Sequence, residues 1–125
     1  MESILAAYKS IKVSEVGHWY KAASVDAFPE NAGACIKYKG MQIAVFNFSR
    51  KSSWYACQNL CPHKLEMVLS RGLLGDDGGI PKVACPLHKR TFSLETGENL
   101  NGEEDPIAVF PVKIEAGYVY IGFSE

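Results

Sequence analysis

The sequence lacks several features that would place it in common functional classes. Its apolar runs are all too short to span a bilayer, and Met1-Glu2-Ser3-Ile4-Leu5 has neither the basic start nor the apolar stretch of a secretory signal. The formal net charge is −1, so there is no overall basic field that would attract nucleic acid. We therefore expect an intracellular, cytoplasmic protein that binds neither membranes nor nucleic acid.

Signatures of nucleotide binding and of nucleophilic catalysis are absent as well. The glycines of Gly72–Gly79 fit neither G-x-G-x-x-G nor G-x-x-x-x-G-K, and no nucleophile lies in a pattern with a general base. The chain therefore offers no residues of its own for binding NAD(P)H, and we predict that it contains no catalytic residues.

What the sequence does contain predicts an all-β fold. Its 125 residues favour a single domain, 1–125, with a short N-terminal helical extension over Ser3–Lys9. Segments rich in β-branched and aromatic residues, separated by turn residues, predict a small antiparallel β-sandwich or barrel. The predicted strands are Ala34–Lys39, Gln42–Phe48, Trp54–Gln58, Ile80–Ala84, Ile107–Glu115 and Tyr118–Phe123. Hairpin turns are expected at Gly40-Met41, Asp76–Gly79 and Ala116-Gly117, and Pro111 indicates an edge strand or a bulge.

Two short segments combine cysteine with histidine. Cys61-Pro62-His63 and Cys85-Pro86-Leu87-His88 each begin near the end of a predicted strand, so two loops within about residues 60–95 are expected to meet at one end of the sheets. Each proline fixes φ and removes one backbone N–H, which leaves neighbouring N–H groups available to point at sulfur. In a reducing compartment, such pairs favour metal binding over disulfides.

Three interpretations of these segments remain open. Buried thiols and surface histidines could occur together by coincidence. Structural zinc is a second possibility, although zinc fingers usually pair Cys with Cys and His with His. The third is a Rieske [2Fe-2S] centre, in which two histidines replace two cysteines on one iron. Mixed loops suit this centre, because each loop can give its Cys to one iron and its His to the other.

The wider sequence resembles the Rieske family. The ligand pattern continues through Val68–Leu73, Ala84–Lys89 and Phe92–Glu98, which is similar to the small-subunit family of assimilatory NAD(P)H nitrite reductases. The resemblance implies a Rieske-like fold with a two-loop cluster-binding subdomain and a [2Fe-2S] cofactor. It implies Cys61 and Cys85 on one iron, with His63 and His88 on the other. It also implies a large partner subunit that carries flavin, an iron–sulfur cluster and sirohaem.

Residues beside the ligand pattern predict a low-potential centre. High-potential relatives usually join the loops by a disulfide, which Leu65-Glu66 and Leu87 exclude here. Such relatives also place Ser and Tyr hydroxyls after the second motif, where this chain has Arg90 and Phe92. Four cations lie near the loops, and they could favour the reduced cluster, steer an acidic partner or simply form a solvated face. These cations are Lys64, Arg71, Lys89 and Arg90.

The remaining candidate ligands have simpler explanations. We expect Cys57 and Cys35 to be small buried hydrophobic residues, and His18 to be a surface or packing residue. The acidic stretch Glu103-Glu104-Asp105 is expected to be a solvated loop.

Three hypotheses for function follow. The first is the electron-transfer small subunit of an NAD(P)H nitrite reductase, which converts nitrite to ammonium in nitrate assimilation. It is favoured by the N-terminal segment Met1–Lys9 and by the long lead-in Gly72–Val83 to the second motif. The second is a stand-alone Rieske ferredoxin of an oxygenase system. The third is a cluster-free structural or regulatory subunit.

Overall fold

The computed structural model describes residues 8–62, 65–87, 90–102 and 106–124, and their regular structure consists of short antiparallel strands and 3₁₀ turns. The strands are β1 (His18–Ser24), β2 (Ala32–Tyr38), β3 (Met41–Phe48), β4 (Ser53–Gln58), β5 (Leu60–Cys61), β6 (Glu66–Met67), β7 (Leu73–Asp77), β8 (Ile80–Ala84), β9 (Thr91–Ser93), β10 (Val109–Phe110), β11 (Val112–Glu115) and β12 (Tyr118–Phe123). The predicted all-β class is thus confirmed.

The N-terminal segment that precedes β1 contains no α-helix among its described residues. The expected helix Ser3–Lys9 lies outside the described residues except for Tyr8 and Lys9, which have no regular structure. The first helical element in the described ranges is the 3₁₀ turn Val13–Glu15. Within those ranges, no helix has the length and apolar character needed to cross a membrane.

Two sheets form the base of the fold. One has the order β1-β12-β11 and the other the order β10-β4-β3-β2. Their facing sides share one apolar core, in which the ring of Tyr38 stacks on that of Phe123 with centroids 3.8 Å apart. Ile43 and Val45 of β3 and Val119 and Ile121 of β12 are fully buried in this core.

The central strand β3 is buried on both faces. Ile43 and Val45 point into the core between the two sheets, whereas Ala44 and Phe46 belong to a second apolar cluster on the opposite face. This arrangement follows from the alternation of side chains along a strand. It also explains why the segment reads as an almost continuous apolar run rather than an alternating one.

The second apolar cluster lies beneath a small upper layer that holds both Cys/His segments. This layer consists of the β5-β6 ribbon and the sheet β7-β8-β9. Leu69, Val83 and Phe92 are fully buried within this cluster. The described residues therefore form three layers, and Cys61 and Cys85 belong to the outermost one.

The three predicted hairpin turns are confirmed, and that at Ala116-Gly117 has the predicted position. The β2–β3 turn is Lys39-Gly40 rather than Gly40-Met41, because Met41 already pairs with Tyr38. Both turn residues have positive φ, 49° and 82°, as a two-residue type I′ hairpin requires. Gly78-Gly79 and Ala116-Gly117 also combine two positive φ angles.

The predicted strand Ile107–Glu115 is divided into two strands at Pro111. Residues before the proline pair with β4, and residues after it pair with β12. The proline has no N–H to continue a ladder, but its carbonyl oxygen accepts the N–H of Gly122 at 2.9 Å. The chain passes from one sheet to the other at Pro111. The strand β11 lies at the edge of its sheet, as the proline indicated.

Candidate metal centre

The two cysteines of the Cys/His segments are buried in the same apolar cluster. Cys61 ends β5 and has 0% exposure, and Cys85 directly follows β8 and has 1% exposure. Both belong to the cluster beneath the upper layer. The fold thus places in one apolar cluster two thiols that lie far apart in the sequence.

Each cysteine opens a loop that is closed by a backbone hydrogen bond. In the first ligand loop (residues 61–65), the N–H of Leu65 donates to the carbonyl oxygen of Cys61 at 2.8 Å. In the second ligand loop (residues 85–90), the N–H of Cys85 donates to the carbonyl oxygen of Arg90 at 2.7 Å. These bonds fix both ends of each loop. His63 and His88 lie between these ends, outside the described residues.

The loop residues beside the histidine positions expose apolar side chains. Leu65 and Leu87 are each 51% exposed, although leucine is usually buried. Leu65 also has a positive φ of 55°, which is uncommon for a residue with a β-carbon. No disulfide joins the cysteines, all of which lie in the described part of the chain.

The two residues on which the predicted low potential depends, Arg90 and Phe92, differ in burial. Phe92 is fully buried in the apolar cluster that contains Cys85, and Arg90 is half-buried. Of the four predicted cations, Arg71 is exposed, while Lys64 and Lys89 lie outside the described residues.

The other two cysteines differ from each other. Cys57 is fully buried, as predicted, and burial raises the pKa of its thiol far above the ordinary value. The expectation that Cys35 is buried is wrong. It is exposed on the edge strand β2, and its sulfur lies 3.6 Å from the side-chain oxygen of Gln42. Partial burial still raises the pKa of the Cys35 thiol.

Two further expectations concern residues away from the loops. His18 is an exposed packing residue, as predicted, and its ring stacks on Tyr38 with centroids 6.2 Å apart. The acidic stretch Glu103-Glu104-Asp105 lies outside the described residues.

The donor set fits an iron–sulfur cluster. Two thiols in an apolar layer supply the soft ligands that iron–sulfur centres use. The loops that follow them are closed at both ends, so each can present one further side chain beside its cysteine. A purely structural pair of buried thiols would not require two loops of this kind in one layer.

Comparison with known proteins identifies this arrangement. Residues 18–122 match the model of the Rieske-like [2Fe-2S] domain. The chain belongs to this family. The family assignment implies a Rieske-type [2Fe-2S] cluster as the cofactor of this Rieske-like domain. The match includes both ligand loops and the two sheets that support them.

Individual relatives of this Rieske-like protein come from two kinds of redox system. It is 41% identical over 104 residues to the nitrite reductase [NAD(P)H] large subunit of Klebsiella oxytoca. The matched region covers 83% of this chain and 11% of that protein. The chain thus spans about a tenth of that relative's length. It is 37% identical over 84 residues to the 3-phenylpropionate/cinnamic acid dioxygenase ferredoxin subunit of Shigella flexneri, covering 66% of this chain and 74% of that one.

A solved structure is similar over a larger share of both chains. The solution structure of the nitrite reductase [NAD(P)H] small subunit from Erwinia carotovora has a TM-score of 0.72 and 29% identity. The similarity covers 86% of this chain and 82% of that one.

Proposed function

We propose that this protein is the electron-transfer small subunit of an NAD(P)H nitrite reductase and carries a Rieske-type [2Fe-2S] cluster. The observation that carries the proposal is the burial of Cys61 and Cys85 in one apolar layer, each at the start of a loop closed by a backbone hydrogen bond. Cys61 and Cys85 would bind one iron, and His63 and His88 the other. When bound, such a cluster accepts and donates single electrons.

The chain's own residues would hold this cluster and control access to it. The apolar cluster around Phe92, Leu69 and Val83 excludes water from the cysteine side. Leu65 and Leu87, one in each ligand loop, are exposed, and we assign the surface that they form to the entry and exit of electrons. Nitrite reduction requires a multi-electron centre, and we assign that centre, together with NAD(P)H oxidation, to a large partner subunit in the cytoplasm.

Two observations favour a nitrite reductase over an oxygenase ferredoxin. Among the relatives described above, the nitrite reductase of Klebsiella has the higher identity and covers more of this chain, 83% against 66% for the ferredoxin subunit. The long lead-in to the second loop, the second observation, forms a complete hairpin, β7–β8.

Metal analysis tests the cofactor. Protein purified without oxygen should be red-brown and contain two irons and two acid-labile sulfides per chain, as a [2Fe-2S] centre requires. The reduced protein should give an electron paramagnetic resonance spectrum with the low average g value of mixed His/Cys ligation. Zinc as the bound metal would contradict the proposal.

Reconstitution tests the partner. With a sirohaem-containing nitrite reductase subunit, addition of NAD(P)H should reduce the cluster and the two chains should co-purify. The same experiment with an oxygenase and its reductase distinguishes the ferredoxin function. Reduction by the oxygenase system alone would overturn the assignment to nitrite reductase.

A further inference from the structure

Asn59 occupies the junction between the central sheet and the first ligand loop. It lies between β4 and β5, two residues before Cys61, and is 2% exposed. Its backbone N–H donates to the carbonyl oxygen of Gln42 at 2.9 Å. Its carbonyl oxygen accepts the N–H groups of Val68 and Leu69, both at 3.0 Å. The backbone of this one residue therefore contacts both the sheet and the segment that follows the loop.

The side chain of Asn59 also links the central sheet to the segment that follows the first ligand loop. Its Oδ1 accepts the backbone N–H of Ser70 at 2.7 Å. Its Nδ2 donates to Oε1 of Gln42 at 3.0 Å and lies 3.6 Å from the sulfur of Cys35. An amide is needed for this pair of contacts, because one end must accept and the other must donate.

These contacts close the base of the first ligand loop. The chain leaves Asn59 toward Cys61, turns, and returns so that three consecutive N–H groups, those of residues 68–70, all donate to Asn59. Gln42 in turn belongs to β3, the strand buried on both faces. A displacement of Asn59 would consequently shift both ends of the loop relative to the sheet.

We propose that Asn59 is a positioning residue for the [2Fe-2S] cluster, which acts by holding the first ligand loop, and with it Cys61, in fixed register with β3. This inference rests on the proposed function, because it takes Cys61 to be a cluster ligand. Burial strengthens the effect, since a buried polar group that loses its partner is not compensated by water.

The competing explanation is that Asn59 contributes only to general stability. A matched control separates the two. Val119 is fully buried in the core between the two base sheets, away from the apolar cluster that contains Cys61 and Cys85. Val119→Ala should lower the unfolding temperature of the cluster-loaded protein without changing the ligand loops.

The experiment measures iron release and the spectrum of the reduced cluster in the full chain. With excess EDTA, Asn59→Ala should release iron at least about tenfold faster than wild type, the scale expected when buried hydrogen-bond partners are lost. Its electron paramagnetic resonance g values should shift. Asn59→Asp keeps an acceptor for Ser70 but places a buried carboxylate oxygen against Oε1 of Gln42, so it should also release iron faster than wild type. Val119→Ala should keep the wild-type rate and spectrum.

A second variant keeps the proposal testable if Asn59→Ala does not fold. Gln42→Ala removes the acceptor of the Asn59 amide without altering the loop itself, and it should also accelerate iron release beyond Val119→Ala. Release rates and g values of the Asn59 and Gln42 variants equal to those of Val119→Ala would overturn the positioning role. A wild-type protein without iron and sulfide would instead overturn the proposed function, before any variant is made.

Discussion

The backbone N–H of Leu65 donates to the carbonyl oxygen of Cys61 at 2.8 Å, and Leu65 adopts a left-handed φ of 55° in doing so. A residue with a β-carbon in this region costs roughly 1–2 kcal/mol relative to right-handed backbone. The side chain is 51% exposed and contributes little packing in return. The strain therefore lies within the first ligand loop, two residues after His63 in the sequence.

The first prediction follows from this strain. Leu65→Gly should raise the free energy of unfolding by up to about 1 kcal/mol, because glycine adopts positive φ freely but gains entropy in the unfolded chain. Thermal unfolding of the cluster-loaded protein measures the effect. Leu87→Gly is a matched control, since Leu87 is equally exposed but is not among the positive-φ residues, and it should be destabilised. A Leu65→Gly protein destabilised as much as Leu87→Gly would show that the loop is not strained.

The second prediction concerns the reduction potential. Wild type should have a midpoint below about +150 mV, within the range of roughly −150 to +300 mV known for Rieske centres, because no hydroxyl is present at Arg90 or Phe92. Phe92→Tyr should raise the midpoint by adding a donor near the cluster. Phe46→Tyr is the control, since Phe46 is fully buried in the same apolar cluster but belongs to β3. Equal midpoints for the two variants, measured by redox titration, would contradict the role of position 92.

The third prediction tests the histidine ligands. His63→Cys and His88→Cys should each lower the midpoint if a cluster assembles, because a thiolate adds negative charge to one iron. His18→Cys should leave the midpoint at the wild-type value, because His18 packs on Tyr38 at the base of the fold. Redox titration of the loaded variants provides the measurement. An unchanged midpoint in a loaded His63 or His88 variant would remove that residue from the ligand set.

Local signals explain why much of this fold could be predicted from the sequence. Glycine between two apolar segments indicated the β2–β3 and β11–β12 hairpins, and the mixed Cys/His pattern indicated the two loops. Exposure of Cys35 could not be predicted in the same way, because an apolar strand pattern does not reveal which strand forms the edge of a sheet. Asn59 was missed for a related reason. Its side-chain partners Gln42 and Ser70 are 17 and 11 residues away, and no local pattern records such contacts.

The fourth prediction concerns the ion pair that joins the hairpin before the second ligand loop to the base of the fold. Nζ of Lys51, in the 3₁₀ turn after β3, contacts Oδ2 of Asp76 in β7, and the N–H of Gly79 donates to Oδ1 of Asp76 at 2.6 Å. The hydrogen bond with Lys51, followed by that from Gly79, lowers the pKa of the Asp76 carboxyl. A carboxyl with a lowered folded pKa stabilises the fold above its ordinary titration range and loses this contribution as pH falls through the folded value.

Asp76→Asn should therefore lower the unfolding temperature near pH 7, and the difference from wild type should shrink as the pH falls below about 4, where aspartate ordinarily begins to protonate. The effect should be small and should decrease with added salt, because both side chains are partly exposed. Glu115→Gln provides the control. Glu115 lies 3.7 Å from Lys113 and its side chain is 66% exposed, so its replacement should have a still smaller effect. A difference between Asp76→Asn and wild type that grows on acidification would show that the pair does not stabilise the hairpin that leads to Cys85.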